Sequence, residues 1–117
     1  MDSSLISEIF HEMAVFSELL EDSPFKSRAY EKAARIIENI GDEIFEIAKK
    51  GALTKVDGIG EKIAAKIEEL IETGELQSRN KMLSSIPEGV IEMLKIPGLG
   101  PKRVRALWKD YGISSVG

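Results

Sequence analysis

Two lysines one helical turn apart, Lys62 and Lys66, follow a pair of glycines, Gly58 and Gly60; a third lysine, Lys102, follows a second pair, Gly98 and Gly100. Glycine, an apolar residue, glycine, then lysine two residues on is a pattern suited to phosphate. Two such glycines make a tight turn, where positive φ or a close approach costs little. A helix starting there offers amides without partners inside the helix, at the positive end of its dipole. Free N–H groups, no obstructing Cβ and a lysine in the first turn form a site for a phosphate oxygen. Lys66 has no counterpart, because the second copy carries Ala106 in its place. An amine one turn beyond a phosphate-binding lysine meets a sugar attached to that phosphate. In its neutral form it can attack an aldehyde and form a Schiff base. A like charge at i−4 and partial burial both favour that neutral form. The structural alternative is a solvated lysine paired with Glu69 at i+3.

The two glycine pairs belong to an internal repeat of 40 residues. Val56-Asp57-Gly58-Ile59-Gly60 recurs as Ile96-Pro97-Gly98-Leu99-Gly100, and Ala64 and Ile67 recur as Val104 and Leu107. Ile59 and Leu99 are the expected plugs that pin each turn to the core. One such glycine pair marks any loop-to-helix junction. Two in register, each with the same lysine behind it, carry the phosphate reading.

Composition sets the limits. The chain has 117 residues, 43% hydrophobic and 31% charged, as in an ordinary soluble domain or two small lobes. No apolar run reaches the ~18 residues of a membrane span, and the acidic start at Asp2 and Glu8 does not suit a secretory signal. A cytoplasmic location is expected. Without cysteine, and with one histidine, disulfides and Cys- or His-rich metal sites are excluded. The net charge of −4 is unevenly spread: residues 1–50 carry six basic and eleven acidic side chains, residues 51–117 ten and nine. Lys95 to Lys109 contains five basic residues and no acid. Screening over ~8–10 Å lets such a patch attract phosphate on an acidic protein.

The apolar periodicity predicts an all-α fold of about seven helices, with no strand. Residues 3–20 form a helix with Leu5, Ile9, Met13, Phe16 and Leu20 inward, and His11 lies beside that face as a surface residue. Asp22-Ser23-Pro24 caps a second helix that runs to Ile40, with Ala29, Ala33, Ile36, Ile37 and Ile40 buried. Lys26 and Tyr30 are neighbours on it. Arg28, Lys32 and Arg35 form a separate strip, read as a solvated face paired with Glu31 and Glu38. Asp42 caps a helix over 43–50. Helices follow over 61–73, 75–84, 87–94 and 101–111. Two lobes are expected: 1–79 with the first glycine turn, and 80–117 with the second. The second lobe is small for a core of its own, so it should lean on the first or begin a longer domain.

The residues 24–40, the run Val56 to Ile67 and the turn Gly98-Leu99-Gly100-Pro101-Lys102 together resemble the amino-terminal part of family X DNA polymerases, bacterial and archaeal branch. The turns resemble helix-hairpin-helix motifs, matched fully by the second copy; the first has Asp57 for proline. The resemblance implies a small lyase-like domain followed by a second hairpin. It implies grip on gapped, nicked or abasic DNA without sequence preference. Gly58, Gly60, Lys62, Gly98, Gly100, Lys102, Arg103 and Arg105 are then phosphate contacts, joined by Lys26 and by Tyr30 as an orienting or stacking residue. It implies Lys66 as the nucleophile toward 5′-deoxyribose phosphate. Backbone carbonyls of Val56 and Gly58, and of Ile96 and Gly98, would hold sodium or potassium. Magnesium would belong only to the polymerase region, which needs carboxylates on a sheet and is absent here. A monomeric fragment of a longer polymerase is expected.

Phe25, Thr54, Ala65 and Ser78 depart from the family's animal pattern, which has histidine, lysine, an acid and lysine at these places. The losses weaken phosphate binding and remove a proton acceptor. A clamp without catalysis is therefore the main alternative, and a protein-binding module built on the acidic helix 3–20 is a third. No helix presents an Arg and Asn set suited to reading base edges.

Overall fold

The structure, a computed structural model, describes residues 2–20 and 24–113. Among them are seven α-helices and no strand. They are α1 Ser3–Leu19, α2 Pro24–Ile40, α3 Glu43–Lys49, α4 Glu61–Thr73, α5 Gln77–Ser84, α6 Glu88–Met93 and α7 Pro101–Arg105. The caps Asp22 and Ser23 expected for α2 lie outside the described residues, as do residues 114–117.

α1 begins at Asp2, whose carboxylate accepts from the Leu5 amide at 3.1 Å. This satisfies one of the amides that every helix start leaves unpaired. The buried face of α1 differs from the expected stripe. Leu5 is 43% exposed, whereas Ile6, Phe10, Met13, Ala14, Phe16 and Leu19 are buried. The reason is that α1 packs on α2, α5 and α7, so its covered arc is wider than one 4-3-4 row. α2 is rotated in the same sense: Tyr30, Ala33, Ala34 and Ile37 are buried, while Ala29 is exposed. Asp42 stands at the start of α3 without capping it. Its carboxylate accepts instead from the Ser3 amide at 3.1 Å, tying the start of α1 to the α2–α3 turn.

Two apolar clusters result. The first gathers Ile6, Phe10, Met13, Tyr30, Ile37, Ile44, Leu53, Ile59, Ile67 and Leu70 from α1 to α4 and their connections. The second gathers Phe16 and Leu19 from α1 with Ile86, Val90, Met93 and Val104. α1 thus supplies a wall to both. Met82 of α5 touches both clusters, and the expected lobe boundary at 79 falls inside that helix.

The helix expected over 101–111 is not uniform. α7 gives way at Ala106 to a π-helical turn, Ala106–Asp110. Leu107 and Trp108 of that turn pack against the second cluster.

Candidate functional site

The two hairpin turns have the same backbone. In each, the residue after the first glycine donates to the residue three before it: Ile59 N–H to the Val56 carbonyl and Leu99 N–H to the Ile96 carbonyl, both at 3.1 Å. The glycine between has φ of 93° at Gly58 and 80° at Gly98. A positive φ at the third residue is what a type II turn requires, with proline favoured but not needed before it. This explains why Asp57 can stand where the second copy has Pro97. Gly60 and Gly100 are extended and open α4 and α7. The first helical bonds run from Ala64 to Gly60 and from Val104 to Gly100, which leaves the amides before them to an outside acceptor.

The surroundings of the turns differ. A Cβ at Gly58 would lie 2.5 Å from Ile36 Cδ1 and 3.0 Å from Lys32 Cε, so α2 closes over the first turn. A Cβ at Gly98 would meet nothing within 4 Å. Ile59 is 3% exposed and serves as the expected plug; Leu99 is half-buried against the second cluster. Lys102 and Arg103 are exposed and Arg105 half-buried behind the second turn. Lys109 lies over the Trp108 ring at 4.0 Å.

Lys26, Tyr30, Lys62 and Lys66 come together. They line a cavity of about 570 Å³ with Leu20, Ala29, Ile63, Ser78, Lys81, Met82 and Ser85. Lys66 is half-buried, and its Nζ donates to Ser78 Oγ at 3.1 Å. The pairing with Glu69 considered from the sequence is not found. Glu69 Oε2 accepts from the Gln77 amide at 2.7 Å and secures the start of α5. Tyr30 lines the cavity from the core, with its ring 6.3 Å from that of Phe10. Phe25 is 79% exposed beside Lys26. The lining that the described residues provide contains four lysines and no carboxylate.

Lys81 and the role of Ser78 were not read from the sequence. Their spacing of three along α5 could have signalled a shared face, but a polar helix offers no apolar row to orient it. The strip Arg28, Lys32 and Arg35 borders a separate groove against α1, with Glu18 and Glu31. Its expected partners are used differently. Arg35 reaches Glu31 at 3.4 Å, but Glu38 belongs to His11. The His11 ring bridges Glu38 at 2.6 Å and Glu31 at 3.1 Å, joining α1 to α2. The Glu38 hydrogen bond above all holds its pKa above the ordinary value, against partial burial and with help from Glu31. Among the described residues no group of His, Asp and Glu is placed to hold a metal ion, and no helix is long and apolar enough to cross a membrane.

A family model described as a helix-hairpin-helix domain matches residues 1–76. The chain belongs to the helix-hairpin-helix family. A second model, a SAM-like helix-hairpin-helix tandem, matches residues 90–117. The chain is also similar to the DNA polymerase/3′-5′ exonuclease PolX of Bacillus subtilis (strain 168), with 33% identity over 108 residues. That match covers 92% of this chain and 18% of the relative, so the chain spans under a fifth of the polymerase's length. The helix-hairpin-helix region is thus related to that of a family X polymerase, as the sequence motifs indicated.

Proposed function

We propose that this chain is the DNA-binding amino-terminal region of a family X polymerase, gripping gapped, nicked or abasic DNA through its phosphates. One observation carries the reading: Lys26, Lys62 and Lys66, from separate places in the sequence, converge on one cavity beside the first hairpin. Amides at the starts of α4 and α7, with Lys62, Lys102, Arg103 and Arg105, take backbone phosphates. Phe25, exposed next to Lys26, offers a ring, and an exposed ring stacks on a base of any sequence; the buried Tyr30 lines the cavity as an orienting residue. The Val56 and Ile96 carbonyls each accept one turn bond. A carbonyl has a second lone pair, so these oxygens, with those of Gly58 and Gly98, fit a sodium or potassium ion that steadies the turn.

Lys66 is the proposed nucleophile toward a 5′-deoxyribose phosphate. Its neutral Nζ attacks the C1′ aldehyde; loss of water gives the Schiff base. Loss of a C2′ proton then breaks the C3′–O bond and frees the downstream 5′-phosphate, after which water releases the lysine. The described cavity lining offers no carboxylate for that proton, so adduct formation is expected to outrun elimination.

Borohydride trapping on a gap bearing 5′-deoxyribose phosphate tests this. A covalent band in the wild type, lost in Lys66→Ala, is expected. No band in either, with gap binding intact, would make the region a clamp without chemistry. A double Lys62→Ala, Lys102→Ala variant should bind gapped DNA more weakly, with a shallower salt dependence by about 0.9 in log K per lost phosphate contact. Unchanged binding would sink the clamp.

A further inference from the structure

The phosphate grip proposed above leaves the basic strip of α2 unused. Arg28, Lys32 and Arg35 take no part in the lysine cavity. They line a separate groove of about 390 Å³ between α1 and α2, with Ala14 and Val15. The sequence suggested that Glu31 and Glu38 neutralise this strip, and in the structure they do so only in part. Glu38 is held by the His11 ring at 2.6 Å, and Glu31 is shared between His11 at 3.1 Å and Arg35 at 3.4 Å. Glu18, the other carboxylate of the groove, accepts from Ser27 Oγ at 3.4 Å. Arg28 and Lys32 are exposed and have no carboxylate partner among the described residues.

Lys32 has a second neighbour. A Cβ at Gly58 would lie 3.0 Å from its Cε and 3.6 Å from its Nζ, so the ammonium lies at the first hairpin turn. At about 100° per residue, Arg28 and Arg35 fall on the side of α2 opposite Lys26 and Tyr30, and Lys32 and Ile36 fall between. The first turn therefore sits on the flank of α2, with the cavity on one side and the groove on the other.

We propose that Arg28, Lys32 and Arg35 form a second phosphate track: they hold the sugar-phosphate backbone of a DNA strand where it leaves the first hairpin turn, on the side of α2 away from the cavity. The proposal rests on the DNA-binding reading above and adds where the strand goes next. From Arg28 to Arg35 the strip covers about 10 Å of helix. One strand of duplex DNA advances about 3.4 Å per phosphate, so the strip matches roughly three successive phosphates. Lys32 makes the path continuous with the turn, whose free amides take the phosphate before it. Arginine suits this place, because its planar fork can hold two phosphate oxygens at once. An acidic peptide would meet the same cations, but the contact of Lys32 with the turn ties them to the DNA grip.

Hydroxyl-radical footprinting on a one-nucleotide gapped duplex tests the track, together with affinities measured over a range of salt. The proteins are wild type, Arg28→Gln/Lys32→Gln, Arg28→Lys/Lys32→Arg and Lys49→Gln/Lys50→Gln. The first variant spares the Arg35–Glu31 pair. The last removes two exposed cations at the end of α3, outside the strip. Arg28→Gln/Lys32→Gln should lose protection at about two or three successive sugars, with the rest of the footprint kept, and its log K should fall less steeply with log salt by about 0.9 per lost contact. The charge-keeping variant should retain the wild-type footprint and slope, and the α3 variant the footprint. If Arg28→Gln/Lys32→Gln matches wild type in both, the strip is a solvated face and the proposal falls, while the DNA-binding reading stands. If the α3 variant loses protection at the same sugars, overall charge rather than a track is at work, and the proposal falls. If the wild type does not bind the gapped duplex, the DNA-binding reading falls and the track with it.

Discussion

Ser78 and Lys66 are twelve residues apart and joined by one hydrogen bond of 3.1 Å. A hydrogen bond of this kind contributes about 0.5–1.5 kcal/mol net, so Ser78→Ala should slow borohydride trapping roughly two- to tenfold, where Lys66→Ala abolishes it. Ser78→Thr keeps the hydroxyl and should restore part of the rate. The two turn glycines allow a second comparison at this scale. Gly98→Ala forces a side chain into positive φ with open space around it, costing about 1–2 kcal/mol. Gly58→Ala adds the encounter with Ile36 and Lys32. Urea midpoints should therefore fall further for Gly58→Ala than for Gly98→Ala. Equal losses would show that α2 yields freely over the first turn. Both glycines were legible in the sequence, because a repeated turn leaves the same residue types in the same order. Which of the two is covered was not legible, since Ile36 lies 22 residues away and nothing local records its approach.

At the scale of elements, helix boundaries followed closely from prolines and glycines. α2 and α4 match the expected 24–40 and 61–73, each bounded by proline or glycine. Faces were harder. The row chosen for α1 included Leu5, whereas Ile6 and Phe10 are buried among residues of α2, α3 and α4, neighbours that one helix's periodicity cannot reveal. The same limit hid His11, read as a surface residue because its two carboxylate partners lie on α2. Its raised pKa gives the α1–α2 contact a pH dependence. The stabilisation is fully present below the unfolded value of about 6.5 and is lost as pH rises through the higher folded value. Urea midpoints should decline across that window in the wild type. His11→Gln should flatten that part of the profile. A profile of the same slope in the variant would mean that another group titrates there.

For the molecule as a whole, the decisive element is α1, with Phe10 and Met13 in one cluster and Phe16 and Leu19 in the other. The single tryptophan, Trp108, reports on the second cluster, while far-UV circular dichroism reports on all the helices. Their unfolding transitions should coincide. Phe16→Ala should lower both together, by about 3 kcal/mol or more. A fluorescence transition that shifts alone would show two separable units. The elongated shape, 48 by 24 by 23 Å, follows from one long helix serving two small cores. The 40-residue repeat covers the turns and the helices behind them, and α1 has no second copy. Residues 85–113, grafted onto another protein, would carry the turn, the lysine and the arginines but leave behind the wall they rest on. What was duplicated here is a grip; the handle exists once, and neither grip can be borrowed without it.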